Sequence, residues 1–330
     1  MQERLNIEMV RQMNGSDARI FTPSALGSDG ERVYINSRFR FYRSTADGAM
    51  DAMPTILNTW TSGLIAERDT LWVHGSGGLA CSTDGGLHFE EVPLPNWPNS
   101  IHAMACADDG TLWAGEKRGV LFFKAPGAKK FTAVTGKAPP VTAIAKGSGG
   151  VLVGTEDGKL WIGVAGKLSA TSLAAGAPIS AVLESERGAI VALSEGEECV
   201  SVHRSADGGR SFSTIDLGED EWLLTLGQVP GGPIVGGGVD GVITASWDDG
   251  SSFQVVRHKL GQSERSFDRC CVHQGTLWFG GDFQNLVRVS LDGATKLKVA
   301  AKSKASAQSK SKAAAKPKVA AKAAKKKAKR

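Results

Sequence analysis

The side chains in this 330-residue chain that could do acid–base work are mostly carboxylates, and they gather in short runs: Glu184-Ser185-Glu186, Glu195-Gly196-Glu197-Glu198 and Glu219-Asp220-Glu221. Two carboxylates held roughly 5 to 9.5 Å apart across a pocket can cleave a glycosidic bond. These runs fall where connecting loops belong, and acidic loop clusters are ordinarily solvated surface. Three more aspartates recur in one pattern, S-x-D-x-G-x-x-F, as Ser82, Asp84, Gly86 and Phe89, as Ser205, Asp207, Gly209 and Phe212, and as Ser246, Asp248, Gly250 and Phe253. Metal chemistry is poorly provided for. The six histidines have no ligand spacing, and Cys270 and Cys271, near His273, would point to opposite faces of a strand, so no metal site is expected. No nucleotide-binding or hydrolase fingerprint stands out, and no cofactor is expected. The five cysteines, odd in number and irregular in spacing, read as reduced thiols.

A repeat must position these groups. Short β-rich segments begin at Val33, Leu71, Leu112, Leu152, Ile190, Ile234 and Leu277, at spacings of 38, 41, 40, 38, 44 and 43. Five follow a strand-joining turn signal: Asp29-Gly30, Asp109-Gly110, Gly149-Gly150, Gly231-Gly232 and Gln274-Gly275. Eight or nine residues upstream of most lies another apolar strand with a small residue in register, held by Gly63, Ala103, Ala143 and Ala181. A third strand follows, as at residues 119–123, 158–162 and 241–245. Units of about 40 residues with three or four antiparallel strands have the size of propeller blades, and the small residues suit an inner edge where strands crowd an axis. No unit has the three-and-four apolar spacing of a helical solenoid.

The fold class expected is therefore all-β, a seven-bladed β-propeller spanning 17–297. Its blades fall near 17–58, 59–98, 99–139, 140–177, 178–221, 222–264 and 265–297. Residues 1–16 form an N-terminal segment, and 298–330 a disordered basic tail. The missing outer strand of the last blade comes either from residues 6–11 or from 297–300, since closure protects sheet edges. In the last unit Asp268 and Arg269 stand where other units have Gly or Ala. They are expected to reach the central channel, paired with each other or touching a ligand.

The S-x-D-x-G-x-x-F pattern has the chemistry of a hairpin turn: Ser and Asp bond nearby backbone N–H groups, Gly takes a positive φ, and Phe packs between sheets. It resembles the Asp-box, or BNR repeat, of sialidases, sortilin-type receptors and photosystem II assembly factors, with degenerate copies at Ser44 to Gly48 and Ser290 to Gly293. In those families the box is a structural turn away from the active face, which implies that Asp84, Asp207 and Asp248 are not catalytic. Sialidases also need an arginine triad, an acid/base Asp and a late Tyr nucleophile. Here Arg19-Ile20-Phe21 departs from the family's Arg-Ile-Pro, and the only tyrosines are Tyr34 and Tyr42, both in the first blade. The covalent sialidase mechanism is not expected. The assembly-factor likeness implies a docking scaffold with a protein partner on one face, where Trp97 and Trp222 could anchor a partner or cover a blade interface. The rival is a carbohydrate-active hydrolase with a carboxylate pair at the channel mouth.

Charge divides the chain. Residues 296–330 hold 14 of the 39 basic residues and no acid, which leaves 25 basic against 34 acidic in the body, or −9. The tail cations Lys302, Lys304, Lys310, Lys312, Lys316, Lys318, Lys322, Lys325, Lys326, Lys327, Lys329 and Arg330 sit among Ala and Ser, resembling linker-histone tails. Such a segment cannot fold alone. Its favoured partner is DNA or RNA, bound without sequence readout and with steep salt dependence. An acidic protein surface, the acidic body itself, or a purely solubilising role are the alternatives. Hydrophobic residues at 41% with 41 glycines exclude wholesale disorder. No apolar run reaches membrane-spanning length and the first residues lack a secretory h-region, so a cytoplasmic protein without membrane insertion is expected.

Overall fold

The computed structural model describes residues 5–9, 13–14, 23–37, 40–45, 50–56, 61–67, 69–95, 100–134, 139–218, 221–256, 266–281 and 285–291. The chain divides into two units, Met1–Ala300 and Ala301–Arg330. All twelve tail cations named above lie outside the described residues, as do Trp97, Asp47 and Asp292.

The described residues of Met1–Ala300 form seven sheets, each built on an antiparallel meander from an inner first strand outward. Blade 3 is representative, with strands Ile101–Cys106, Leu112–Glu116, Leu121–Lys124 and Thr132–Ala133 in that order. The first strands of successive blades lie side by side around the axis, and that of blade 7, Arg269–His273, lies beside that of blade 1, Pro23–Ser28. The ring is closed, and the fold is a seven-bladed β-propeller.

Among the described residues, blade 7 has three strands of its own. Its outer strand is Asn6–Met9, antiparallel to Asn285–Ser290 with Ile7 opposite Val289. Four residues on, Met13–Asn14 pairs in parallel with the outer strand of blade 1. The N-terminal segment thus bridges the seam between the last and first blades. Burial of Leu5 and Ile7 against Val287, Val289 and Phe279, and an Arg288 to Glu8 ion pair of 2.7 Å, hold it there.

The second strands explain the sequence pattern. Val33–Ser37, Leu112–Glu116 and Ile234–Gly238 are buried at every position, because each blade is covered by neighbours on both faces and alternation has no solvent side to report. Seven apolar clusters fill the seven blade interfaces. The first strands carry a further device. In six blades the register shifts after the first residue, as between Ile101 and Ala103, so one residue bulges out of the ladder. The residue after the bulge is small in blades 1 to 5: Ala25, Gly63, Ala103, Ala143 and Ala181.

Replacing Ile7 by Ala should lower the urea-measured stability by about 2–4 kcal/mol through lost burial at the seam. Glu8→Gln, which removes only a half-exposed ion pair, should cost less than about 1 kcal/mol. Equal effects would mean that charge, not packing, closes the ring.

Candidate functional site

Meander geometry sorts the loops onto two faces. Turns between first and second strands and between third and fourth strands share one face, the turn face. Turns between second and third strands share the other with the starts of the first strands, and there the channel opens at its mouth.

All three S-x-D-x-G-x-x-F segments lie on the turn face and have one geometry. Ser82 Oγ donates to Asp84 Oδ1 at 2.8 Å and accepts the Gly86 N–H at 2.9 Å. Ser205 and Ser246 repeat both bonds, at 2.8 Å to Asp207 and Asp248, and at 2.8 and 2.7 Å from Gly209 and Gly250. Each Asp Oδ1 accepts the N–H four residues on, and each Oδ2 meets the side chain there: His88 Nδ1 at 2.7 Å, and Ser211 and Ser252 hydroxyls at 2.6 Å. The N–H and imidazole of His88, with Ser82, hold Asp84 well below the usual carboxylate range. The Ser211 hydroxyl and N–H, then Ser205, do the same for Asp207. Burial pushes Asp248 up, but the bonds from Ser252 and Ser246 outweigh it and the net shift is down. These carboxylates are saturated with donors in their ionised form, the state of a turn brace and not of a proton donor.

The boxes also couple blades. Phe89 packs on Phe41 of blade 1, edge to face with centroids 5.3 Å apart. Phe212 joins the cluster between blades 4 and 5, and Phe253 that between blades 5 and 6. Each box glycine presses on the preceding blade at positive φ: a Cβ on Gly209 (φ +86°) would stand 2.8 Å from Thr171 Cγ2, and one on Gly250 (φ +87°) 2.7 Å from Val191 Cγ2. Gly86 (φ +88°) meets the Phe41 ring in the same way. Two blades without the motif reach the same end by other means. Phe131 stacks edge to face on Trp72 of blade 2, and the Ala165-Gly166 hairpin sets Gly166 against Phe123 of blade 3.

A cleft of about 200 Å³ on the turn face, between blades 3 and 4, is equally committed and is lined by Asp108, Asp109, Ser148 and Val164. Asp108 is paired with Lys146, and Asp109 accepts the Thr111 N–H at 2.8 Å. Nearby, Glu184 takes both the N–H and the hydroxyl of Ser148 across the next interface. Among the described residues no group of three or more His, Cys, Asp or Glu could hold a metal ion, and all five cysteines are free thiols. No helix among the described residues is long and apolar enough to cross a membrane.

The channel mouth is differently made. Asp268 and Arg269 both stand opposite Gly280, in the bulge register that His102 and Ala103 occupy in blade 3. Arg269 Nη1 donates to the Asp268 carbonyl at 2.8 Å and lies 3.2 Å from its carboxylate, each side chain about one-third exposed. Burial, then the charges of Lys117 and Arg269, disfavour protonation of His102, an exposed side chain three blades away. His74 is buried beneath, its ring against the backbone of Gly63 and its Nδ1 3.2 Å from the Ile101 carbonyl. Burial, with Arg269 and His102 acting against the Ile101 contact, lowers it to about 4. Beside His102, at the end of strand Leu112–Glu116, Glu116 is only 4% exposed and burial raises its carboxyl. Trp222 packs on the cluster between blades 5 and 6. Composition marked Asp268 and Arg269 as departures. The charge effect of Arg269 on His102 had no signal, because it joins blades far apart in sequence.

No family model and no curated protein matches the sequence. Among solved structures it is similar to virginiamycin B lyase from Staphylococcus aureus, with TM-score 0.72 and 13% identity over 88% of this chain and 100% of that one. It is also similar to YCF48 bound to D1 peptide, with TM-score 0.68 and 12% identity over 87% and 97% of the two chains. At these identities the likeness is one of fold.

Gly209→Ala should destabilise by about 3 kcal/mol, combining left-handed strain with the clash at Thr171. Gly208→Ala, at φ +71° with nothing within 4 Å, should cost only about 1 kcal/mol. Between the ordinary histidine range and about pH 4 the unfolded chain binds a proton that folded His74 refuses, so stability should fall as pH drops through that window. The loss is on the order of 3 kcal/mol, and His74→Gln should flatten that limb of a pH-dependent chemical denaturation series.

Proposed function

We propose that this chain is a non-catalytic binding scaffold, whose propeller docks a protein partner or small ligand at the channel mouth while the tail attaches to a polyanion. The fate of the ionisable groups carries this reading. The motif carboxylates are spent in turns of the Asp-box type, to which we assign them, and they brace neighbouring blades on the face away from the mouth. The mouth itself presents Arg269, Lys117 and His102, residue types suited to holding an anion. A glycosidase would need two carboxylates facing each other across an open pocket. Of the described carboxylates on this face, Asp268 is paired with its neighbour Arg269 and Asp157 with Lys159.

The solved relatives bear on this only through the fold, which serves a lyase in one case and holds a peptide in the other. The peptide complex supports docking as a use to which such a ring is suited. In the tail, the cations from Lys302 to Arg330 supply charge without elements that reach base edges, which suits non-specific DNA or RNA in an intracellular setting.

Salt titration of duplex DNA binding tests the tail directly. The full chain should lose roughly a thousandfold in affinity between about 50 and 200 mM salt. A variant with the twelve tail cations replaced by glutamine should not bind at the lower salt. Binding that survives this replacement would move the nucleic-acid contact to the propeller and overturn the division of labour.

A further inference from the structure

We propose that a cleft between blades 5 and 6 on the turn face is a second binding site, separate from the channel mouth, and that it takes a neutral sugar ring laid flat on Trp247 with its hydroxyls on Arg187 and Asp249.

The three boxes share one hairpin, so their variable positions can be compared. From the serine they read Ser82-Thr-Asp-Gly-Gly86, Ser205-Ala-Asp-Gly-Gly209 and Ser246-Trp-Asp-Asp-Gly250. Blade 6 alone of these has an indole where the others have a small side chain, and a carboxylate where they have glycine. The hairpin needs neither, because its Ser, Asp and Gly bonds are the same in all three. Asp249 even carries a cost. It holds φ +61° at the position where Gly85 and Gly208 stand at +71°, a left-handed conformation unfavourable to a side chain. Trp247 is 39% exposed, whereas the other described tryptophans are buried or half-buried. The two departures meet, since both residues line one cleft together with Arg187, Gln228 and the Gly231-Gly232 turn.

The cleft has fixed walls and unused hydrogen-bonding capacity. The Glu186 N–H donates to Gln228 Oε1 at 2.8 Å and Glu186 Oε2 accepts the Gly231 N–H at 2.9 Å, which ties the blade 5 turn to the blade 6 turn. Gln228 Nε2 donates to the Gly232 carbonyl at 3.1 Å and keeps a second N–H. Arg187, exposed in its turn, makes no hydrogen bond or ion pair among the described residues. The Asp249 carboxylate stands 3.7 Å from Arg204, beyond hydrogen-bond reach, and accepts no hydrogen bond among the described residues. Donors and an acceptor are thus fixed beside one aromatic face before any ligand arrives.

These groups select by charge and by shape. Glu186, Asp248 and Asp249 outnumber Arg187 and Arg204 around the opening, so a phosphate or carboxylate is repelled. A cation is opposed by Arg187 itself. The enclosed space, about 40 Å³, admits a hydroxyl or two and not a whole ring, so a ligand must lie across the opening on the indole. A pyranose meets each condition. Its C–H face packs on the electron-rich indole face, and its hydroxyls donate to Asp249 and accept from Arg187 and Gln228.

The test titrates the full chain with methyl β-glucoside, methyl β-galactoside and methyl α-mannoside, read by tryptophan fluorescence and saturation-transfer NMR. At least one should bind saturably with a dissociation constant of about 1 mM, and glucuronic acid, glucosamine and adenosine monophosphate should bind several-fold more weakly. Trp247→Thr and Asp249→Gly install the residues of the other boxes. Each should weaken binding at least about tenfold without lowering the melting temperature by more than a few degrees. Arg187→Gln should weaken it about fivefold, while Leu87→Ala in the blade 2 box should leave it unchanged. Saturable pyranoside binding that ignores Trp247→Thr and Asp249→Gly would put the sugar elsewhere and overturn the site. Tighter binding of any of the three charged probes, still lost in Trp247→Thr, would overturn the class of ligand. Failure of all three pyranosides to saturate below about 30 mM would overturn the whole inference, and docking at the mouth, which uses other residues, would be unaffected by that result.

Discussion

Every blade of this molecule has two apolar faces, and from that constraint the rest follows. A sheet buried on both sides cannot end anywhere in the ring, so blade 7 must find blade 1 and the first strands must meet around an axis. Crowding at the axis then demands small residues after the bulge, as at Gly63, Ala103 and Ala143. The same constraint recruits the N-terminal strand, because a three-stranded blade 7 would leave Val287 and Val289 beside an open edge. The turns are drawn in as well. Gly86, Gly209 and Gly250 lie so close to the preceding blade that no other side chain fits, which makes a hairpin motif into a coupling between sheets.

Much of this was legible because a repeat averages out local ambiguity. Seven β-rich segments at intervals near 40 residues, with turn signals between strands, leave little else but a propeller. The aspartate pattern was equally plain, since its Ser, Asp and Gly act within eight residues of one another. What the sequence left open were choices decided by contacts between distant segments. Both ends of the chain could have supplied the outer strand of blade 7, and only the packing of Ile7 against Phe279 and Val289 distinguishes residues 6–9. Phe131 and Gly166 stand in for boxes that blades 3 and 4 lack, yet nothing around them resembles the motif. The buried His74 and Glu116 were invisible for the same reason, as period-two patterning fails in strands covered on both faces.

The candidate site appears where the repeat is broken. Arg269 fills a register that five other blades give to Gly or Ala. Repeats fix the scaffold through positions that agree, so a position that disagrees without loss of the ring is available for something other than packing. Asp268 is the local compensation, a carboxylate that keeps the guanidinium oriented from the adjacent residue.

Carboxylates on the two faces of the ring meet opposite fates for one physical reason. At Asp84 and Asp207 the backbone turns so that several donors converge on one oxygen, and the ionised form is stabilised far into acid. At Glu116 the strand ends in a turn whose backbone groups pair with one another, its N–H with the Val120 carbonyl and its carbonyl with the Gly119 N–H. The first arrangement is self-contained and can only hold structure together. The second has no such convergence of donors, and burial raises the carboxyl against the opposing charge of Arg118. The turn face, where the motif hairpins press on the blade before them, is thus the frame of the ring.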